Sequence, residues 1–250
     1  MARVKGIFPM VGTIGGVNFY YLEGKLTARE AGGGFNGHAI KTQANMQRVR
    51  ENGSEFGHCS RVNKAFRVAL INFYMGHKIF NFHSRLMTLF TGLKTLDTLN
   101  VRGSRKVAEG VATSEGQTLL RQFNYTPDCD VSRILPFDCQ IDPASYALTI
   151  TGIDIKKVGF ATGATHIELN YGVLDYDFGL TQPRLFMAPA LVLNRSFADT
   201  TVVLVPSIAS PALNTRLCIL GVRYYQEANG ALYPLNAAEA VGFKVLDVFG

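Results

Sequence analysis

The side chains with the most chemical potential fall in small, scattered sets. His77 and His83 are six positions apart beside Phe80 and Phe82. Two metal ligands on one helix face need a spacing of three or four, and no acid stands near either ring to orient it, so the pair argues against a metal. Asp128 and Asp130, like Asp175 and Asp177, point two carboxylates the same way along a strand or loop, which a hard cation accepts. Neither pair continues into a calcium-loop pattern, so the four aspartates read as an acidic docking face. His166 lies between Thr165 and Ile167 in a β-type segment, and the chain contains no G-x-S-x-G elbow, so this histidine reads as a satisfied strand residue. Gly12-Thr-Ile-Gly-Gly16 lacks the Lys-Ser/Thr ending of a phosphate loop and leads into a strand, as backbone relief within a hairpin does.

Cys59, Cys129, Cys139 and Cys218 are far apart and include no C-x-x-C pair, which excludes a zinc finger. A Cys129–Cys139 bridge needs an oxidising compartment; the four read instead as small buried thiols. Tyr171, Tyr176, Tyr224, Tyr225 and Tyr233 suit a core or an interface, and the absence of tryptophan weakens a carbohydrate-binding reading. These sets leave no catalytic, cofactor-binding or metal-binding residue and no small-molecule substrate to expect, so the chain reads as a non-enzyme.

Charge is the strongest global signal. Residues 1–110 carry 16 basic and six acidic side chains, net +10, whereas residues 111–250 carry nine basic and 13 acidic ones, net −4. Opposite ends of this kind let one copy dock on the next. Charged residues make up only 18% of the chain against 47% hydrophobic ones, a surface that favours burial between subunits. The N-terminal apolar run is cut by Pro9 and Gly12, too short for a secretory h-region, and no window reaches the roughly 18 apolar residues of a membrane span. The expectation is a cytoplasmic chain with no membrane partner.

The elements that must carry these residues follow from periodicity. Thr13 to Leu22 reads as one strand, Glu23-Gly24 as a turn and Lys25 to Glu30 as the returning strand, a hairpin arm of marginal stability on its own. Its assembly residues are Thr13, Ile14, Val17, Phe19, Tyr21 and Leu26. The glycine run near 32–37 reads as a tether. A basic helix over Gln43–Asn52 is expected to stop at Asn52-Gly53, followed by an antiparallel helical hairpin whose first stripe includes Phe56, Val62, Phe66, Leu70 and Phe73 and whose second includes Phe82, Leu86, Phe90 and Leu93. Arg48, Arg50, Arg61, Lys64 and Arg67 form its basic docking face. Residues 100–118 read as a connector, with a short helix over Glu115–Gln122. Beyond it, strands are expected over Val131–Ile141, Tyr146–Thr151, Thr165–Tyr171, Arg184–Leu193, Thr201–Val205, Arg216–Glu227 and Val241–Phe249, with a hairpin at Asn229-Gly230. The fold class is α+β: arm and tether over 1–37, a basic helical region over 38–118, and an antiparallel β-sandwich over 119–250.

Gly12-Thr-Ile-Gly-Gly-Val-Asn-Phe-Tyr20, Gln47-Arg-Val-Arg-Glu-Asn-Gly-Ser-Glu-Phe-Gly57 and Leu220-Gly-Val-Arg-Tyr-Tyr-Gln-Glu-Ala-Asn-Gly230 resemble the two ends of an uncharacterised protein family of Bacteroidota. The resemblance implies an arm, helices and a C-terminal β domain, and it carries no activity. The functional expectation is a self-assembling structural protein, a filament or tube, joined through arm exchange and basic-to-acidic docking. Two alternatives stand beside it: a phage virion or tail component, and a nucleic-acid-binding module built on the five basic residues above, whose binding would collapse with salt.

Overall fold

The structure is a computed structural model that describes residues 2–3, 11–31, 37–208 and 214–250. The glycine run at 32–36, expected as a tether, lies outside the described residues. The chain divides into two compact units, Met1–Arg50 and Glu51–Gly250.

The first unit is a four-stranded antiparallel sheet of β1 (Ala2–Arg3), β2 (Gly12–Ile14), β3 (Val17–Leu22) and β4 (Lys25–Glu30), in the order β1-β4-β3-β2. The strand expected over Thr13–Leu22 is therefore two strands. Gly15 and Gly16 both have positive φ, at 56° and 77°, and reverse the chain between Ile14 and Val17. Glu23 and Gly24, at 51° and 74°, do the same between Leu22 and Lys25. Two successive left-handed residues make the turn whose twist matches that of the strands it joins. A short helix, α1 (Gly37–Thr42), follows.

Helix α2 (Gln47–Ala69) runs without interruption through Asn52-Gly53, where a stop was expected. What holds it there is burial further along. Cys59, Val62, Phe66 and Leu70 recur at three and four and face a core shared with Leu86, Phe90 and Leu93 of α4 (Phe82–Thr95). Between them lie α3 (Ile71–Tyr74) and a turn at Gly76, whose φ is +76°. The two long helices are antiparallel: the Cys59 thiol points to the Phe90 carbonyl at 3.6 Å, and Asn63 Nδ2 donates to the His83 carbonyl at 3.0 Å. Phe66 and Phe90 meet edge to face, 5.3 Å between centroids. Phe56, expected in the stripe, is exposed, and its neighbour Glu55 is buried instead.

Residues 100–118, expected as a connector, hold α5 (Val107–Val111) and the start of α6 (Ser114–Gln122), both packed on the helical layer. A Cβ at Gly110 would sit 1.8 Å from the Leu93 carbonyl oxygen, so α5 meets α4 at backbone contact. The first half of the strand expected over Val131–Ile141 is α7 (Val131–Ile134), N-capped by the Asp130 carboxylate, which accepts from the Ser132 amide. The second half is β5 (Asp138–Ile141).

The remaining strands are β6 (Leu148–Thr151), β7 (His166–Asp177), β8 (Gln182–Met187), β9 (Leu191–Asn194), β10 (Thr201–Leu204), β11 (Thr215–Ala228), β12 (Ala231–Pro234) and β13 (Val241–Phe249). The segment expected as one strand over Arg184–Leu193 is thus split between β8 and β9, which pair with opposite halves of β7. Strand β11 is central: β7 flanks one side, while β13 and then β12 flank the other. A three-stranded sheet, β10-β6-β5, faces the six-stranded one. Alternation along β11 and β7 makes two cores. Leu217, Ile219, Leu174 and Tyr176 point to the helices, and Cys218, Leu220, Val222, Tyr171 and Val173 point to the second sheet. The molecule is α+β with antiparallel sheets. The division expected at residue 118 falls inside the core that joins helices to sheet.

Candidate assembly surfaces

In the first unit, register sorts the six expected assembly residues. Ile14 opposes Val17, Phe19 opposes Ala28 and Tyr21 opposes Leu26, so Ile14, Val17, Phe19, Tyr21 and Leu26 lie on one face. Thr13 pairs with Asn18 and belongs to the other face. On this apolar face Ile14 is 55% and Tyr21 52% exposed, while Val17, Phe19 and Leu26 are half-buried. The expected two-stranded ribbon, needing a foreign edge for its backbone, is corrected by this geometry. Strand β3 is flanked by β2 and β4, and β4 by β3 and β1, so most of the pairing is internal and what remains unsatisfied is a side-chain face. The opposite face presents Tyr20, Leu22, Lys25 and Arg29, with Arg29 lying over the Tyr20 ring at 5.6 Å.

The five residues of the expected basic face all lie on α2, and they differ in what they engage. Arg48 and Arg50 belong to the first unit, where Arg50 donates to the carbonyls of Ile40 and Gln43, the latter at 2.9 Å. Arg61 and Lys64 are exposed on α2. Arg67 is half-buried and donates through Nε to Asn63 Oδ1 at 3.0 Å, so it braces the helix pair.

The expected acidic face also separates into two places. Asp175 is mostly buried, 3.5 Å from Arg216 Nε, and accepts from Asn214 Nδ2 at 2.7 Å. Asp177 accepts the Gly179 and Leu180 amides, both at 2.8 Å, and holds a turn. Asp128 and Asp130 remain exposed and border a different cleft of about 340 Å³. Glu239 and Arg133 stand on the same rim, and Arg133 lies 3.5 Å from Asp130. The cleft floor is apolar, formed by Cys129, Ile134, Phe160 and Tyr224, with the Tyr224 hydroxyl donating to the Gly159 carbonyl. Burial, with the carboxylates of Asp130, Glu239 and Asp128 adding to it, pushes the Cys129 thiol up to about 12.

The most connected polar cluster escaped the sequence reading. The Glu55 side chain, 1% exposed, accepts from Lys94, from Arg105 Nε and Nη2 at 2.8 and 2.9 Å, and from the Gly103 amide at 2.8 Å. The Arg105 guanidinium, followed by Lys94 and the Gly103 amide, holds the Glu55 carboxyl far below the usual carboxylate range against the opposing cost of burial. Asp97 accepts the amides of Leu99, Asn100 and Lys106 and so fixes the same loop. His58, depressed first by burial and then by the charges of Lys106 and Arg61, is neutral and accepts the Val107 amide at Nε2, 3.1 Å away. Every acceptor here faces its donors and the carboxylate is closed to solvent, so the cluster is a brace between α2, α4 and residues 97–107. The single sequence signal for it is a glutamate at a core position of the α2 stripe.

The histidines are placed as follows. His83 is exposed, His77 borders a small cleft with Arg223 and Leu235, and His166 Nδ1 meets the Thr165 hydroxyl at 2.9 Å. Among the described residues no group of three or more His, Cys, Asp or Glu side chains could hold a metal ion. All four cysteines are free thiols, and Cys139, expected to be buried, is exposed on β5. No helix among the described residues is long and apolar enough to cross a membrane. Comparison of the chain with family profiles, with curated proteins and with solved structures returns no match.

Proposed function

We propose that this chain is a non-enzymatic, cytoplasmic subunit that assembles with copies of itself into a filament, tube or similar homopolymer, without a cofactor. One observation supports the reading above others. Among the described residues the N-terminal sheet gathers Ile14, Val17, Phe19, Tyr21 and Leu26 on one apolar face, of which Ile14 and Tyr21 are about half open to water and the other three are half-buried. A sheet is stable when such a face is packed against a second layer, and each fully buried aliphatic or aromatic side chain is worth about 1.5–3 kcal/mol. A neighbouring copy supplies that layer in a heterologous contact, which propagates or closes into a ring according to its rotation. The low overall charge and the basic-to-acidic gradient along the chain support the same reading.

The test is electron microscopy and sedimentation of full-length protein beside a Phe19→Glu/Tyr21→Glu variant. Particles from the wild type and a dispersed but folded variant are expected. A wild-type chain that stays monomeric at every concentration overturns the reading.

A further inference from the structure

We propose that the cleft rimmed by Asp128, Asp130 and Glu239 is the receptor for the β3–β4 hairpin tip of a second copy, with Leu22 on its floor and Lys25 at its rim. This inference rests on the assembly reading above and adds a second contact between copies, made by the opposite face of the same N-terminal sheet.

Cleft and hairpin tip are complementary in polarity and charge. The cleft combines an apolar floor, Ile134, Phe160 and Tyr224, with a rim of three carboxylates and one cation, Arg133. Asp130 is engaged with Arg133 and with the Ser132 amide; Glu239, and Asp128, on which the Arg85 charge also acts, are the carboxylates a docking cation would meet. At about 340 Å³ the cleft is near the small end of the ligand-pocket range, about 300–1,000 Å³, and suits a hairpin tip better than an extended chain.

The tip offers the matching pattern. Leu22 and Lys25 are directly opposed across the turn, so an apolar and a cationic side chain project from one side of it. Both are exposed, Leu22 at 48%. Arg29 lies further along the same face and is also exposed. Residues 1–50 as a whole carry seven basic and two acidic side chains, so this unit meets an acidic rim with a field of the right sign. The turn itself is set by Glu23 and Gly24 in left-handed conformations, which keeps the tip narrow and fixed in shape before contact. Exposed charge pairs act mostly on encounter and register, while the apolar floor supplies the affinity.

Charge reversal tests it in the full chain. Wild type, Asp128→Lys/Glu239→Lys, Lys25→Glu/Arg29→Glu and the variant carrying all four changes are compared by light scattering at about 0.1 M salt, where pairs beyond about 10 Å are already screened. Each double variant is expected to lower the assembled fraction about ten-fold, and the four-fold variant to restore it. Circular dichroism reports whether each variant is folded. A second readout joins Lys25→Cys to Glu239→Cys in a Cys139→Ser background: oxidation is expected to give dimers and longer ladders. Wild-type particles that both double variants form equally well overturn this inference and leave the assembly reading standing. A cross-link confined to single chains also overturns it. A wild type that never assembles overturns both.

Discussion

The Thr126 hydroxyl accepts the Phe243 amide hydrogen at 3.1 Å and donates to the Cys129 carbonyl at 2.9 Å, with the Phe243 carbonyl at 3.3 Å. Strand β13 is an outer strand, and this one side chain occupies the backbone positions where another strand would pair. Beside it a Cβ at Gly242 would fall 2.6 Å from the Cys129 sulfur, and Lys244 Nζ donates to the Ser132 hydroxyl at 2.8 Å. The longest outer strand of the six-stranded sheet is therefore covered along its middle by residues 126–132, the kind of protection that keeps an edge from unwanted pairing.

Thr126→Val keeps the shape and removes the hydroxyl, leaving the buried Phe243 N–H without its acceptor. A loss of about 1–3 kcal/mol is expected in urea denaturation, whereas Thr126→Ser should lose under about 1 kcal/mol. Equal stability for the Thr126→Val variant and wild type would show that the hydroxyl contributes nothing to the edge.

Glu55→Gln should be costlier, because Lys94 and Arg105 would lose the carboxylate they share, leaving Asp97 as the remaining carboxylate that acts on Arg105. Breaking one side of a buried pair costs about 3–5 kcal/mol, a large part of the roughly 5–15 kcal/mol that holds a typical domain folded. The drop is read as a lower Tm by calorimetry.

The same carboxylate predicts a pH dependence with a definite sign. Its folded value lies below the ordinary one, so its stabilisation is complete above about pH 4.3 and is lost as pH falls from there toward the folded value. The urea midpoint of the wild type should drop through that acid range, and the drop should be shallower in Glu55→Gln. Parallel curves for the two proteins would remove Glu55 as the cause.

Two glycines in the helical layer should respond oppositely to alanine. At Gly92, inside α4, nothing lies within 4 Å of a new Cβ, so Gly92→Ala should stabilise by about 0.5–1 kcal/mol. Gly110→Ala would force the Leu93 carbonyl away and separate α5 from α4, costing at least the roughly 1–3 kcal/mol typical of overpacking. Thermal melts of the two variants make the comparison directly.

Much of the β region is readable from residue order because its physics is local. Strand β11 is apolar on both faces since helices cover one and the second sheet covers the other, so Leu217–Val222 is a continuous run without a charge. Asn229 and Gly230 have positive φ and form the expected turn. The misreadings have non-local causes. Helix α2 continues through Asn52-Gly53 because its next turns are buried, and a glutamate lies inside while Phe56 lies outside because the partners of Glu55 come from residues 94–105. A period counted on apolar residues alone is shifted by one position there. Val131–Ile134 favours a strand by composition, yet the Asp130 cap and the contacts of α7 with β11 and β13 make it helical. For the candidate surfaces, residue type placed Ile14, Val17, Phe19, Tyr21 and Leu26 together, whereas Asp175 and Asp177 proved to be engaged with internal partners that no spacing reveals.

Because β11 is flanked by β7 on one side and by β12 and β13 on the other, the large sheet has no middle until residues 215–228 leave the ribosome. Helices α2 to α6 emerge long before, with Leu217, Ile219 and Phe243, against which they pack, still unsynthesised. The nascent chain thus carries these helices without their partners from β11 and β13 until residues 215–249 have been made, and completion of this core waits for them. Loss of residues 215–249 would strip those helices of most of their sheet partners, a natural target for chaperones and proteases.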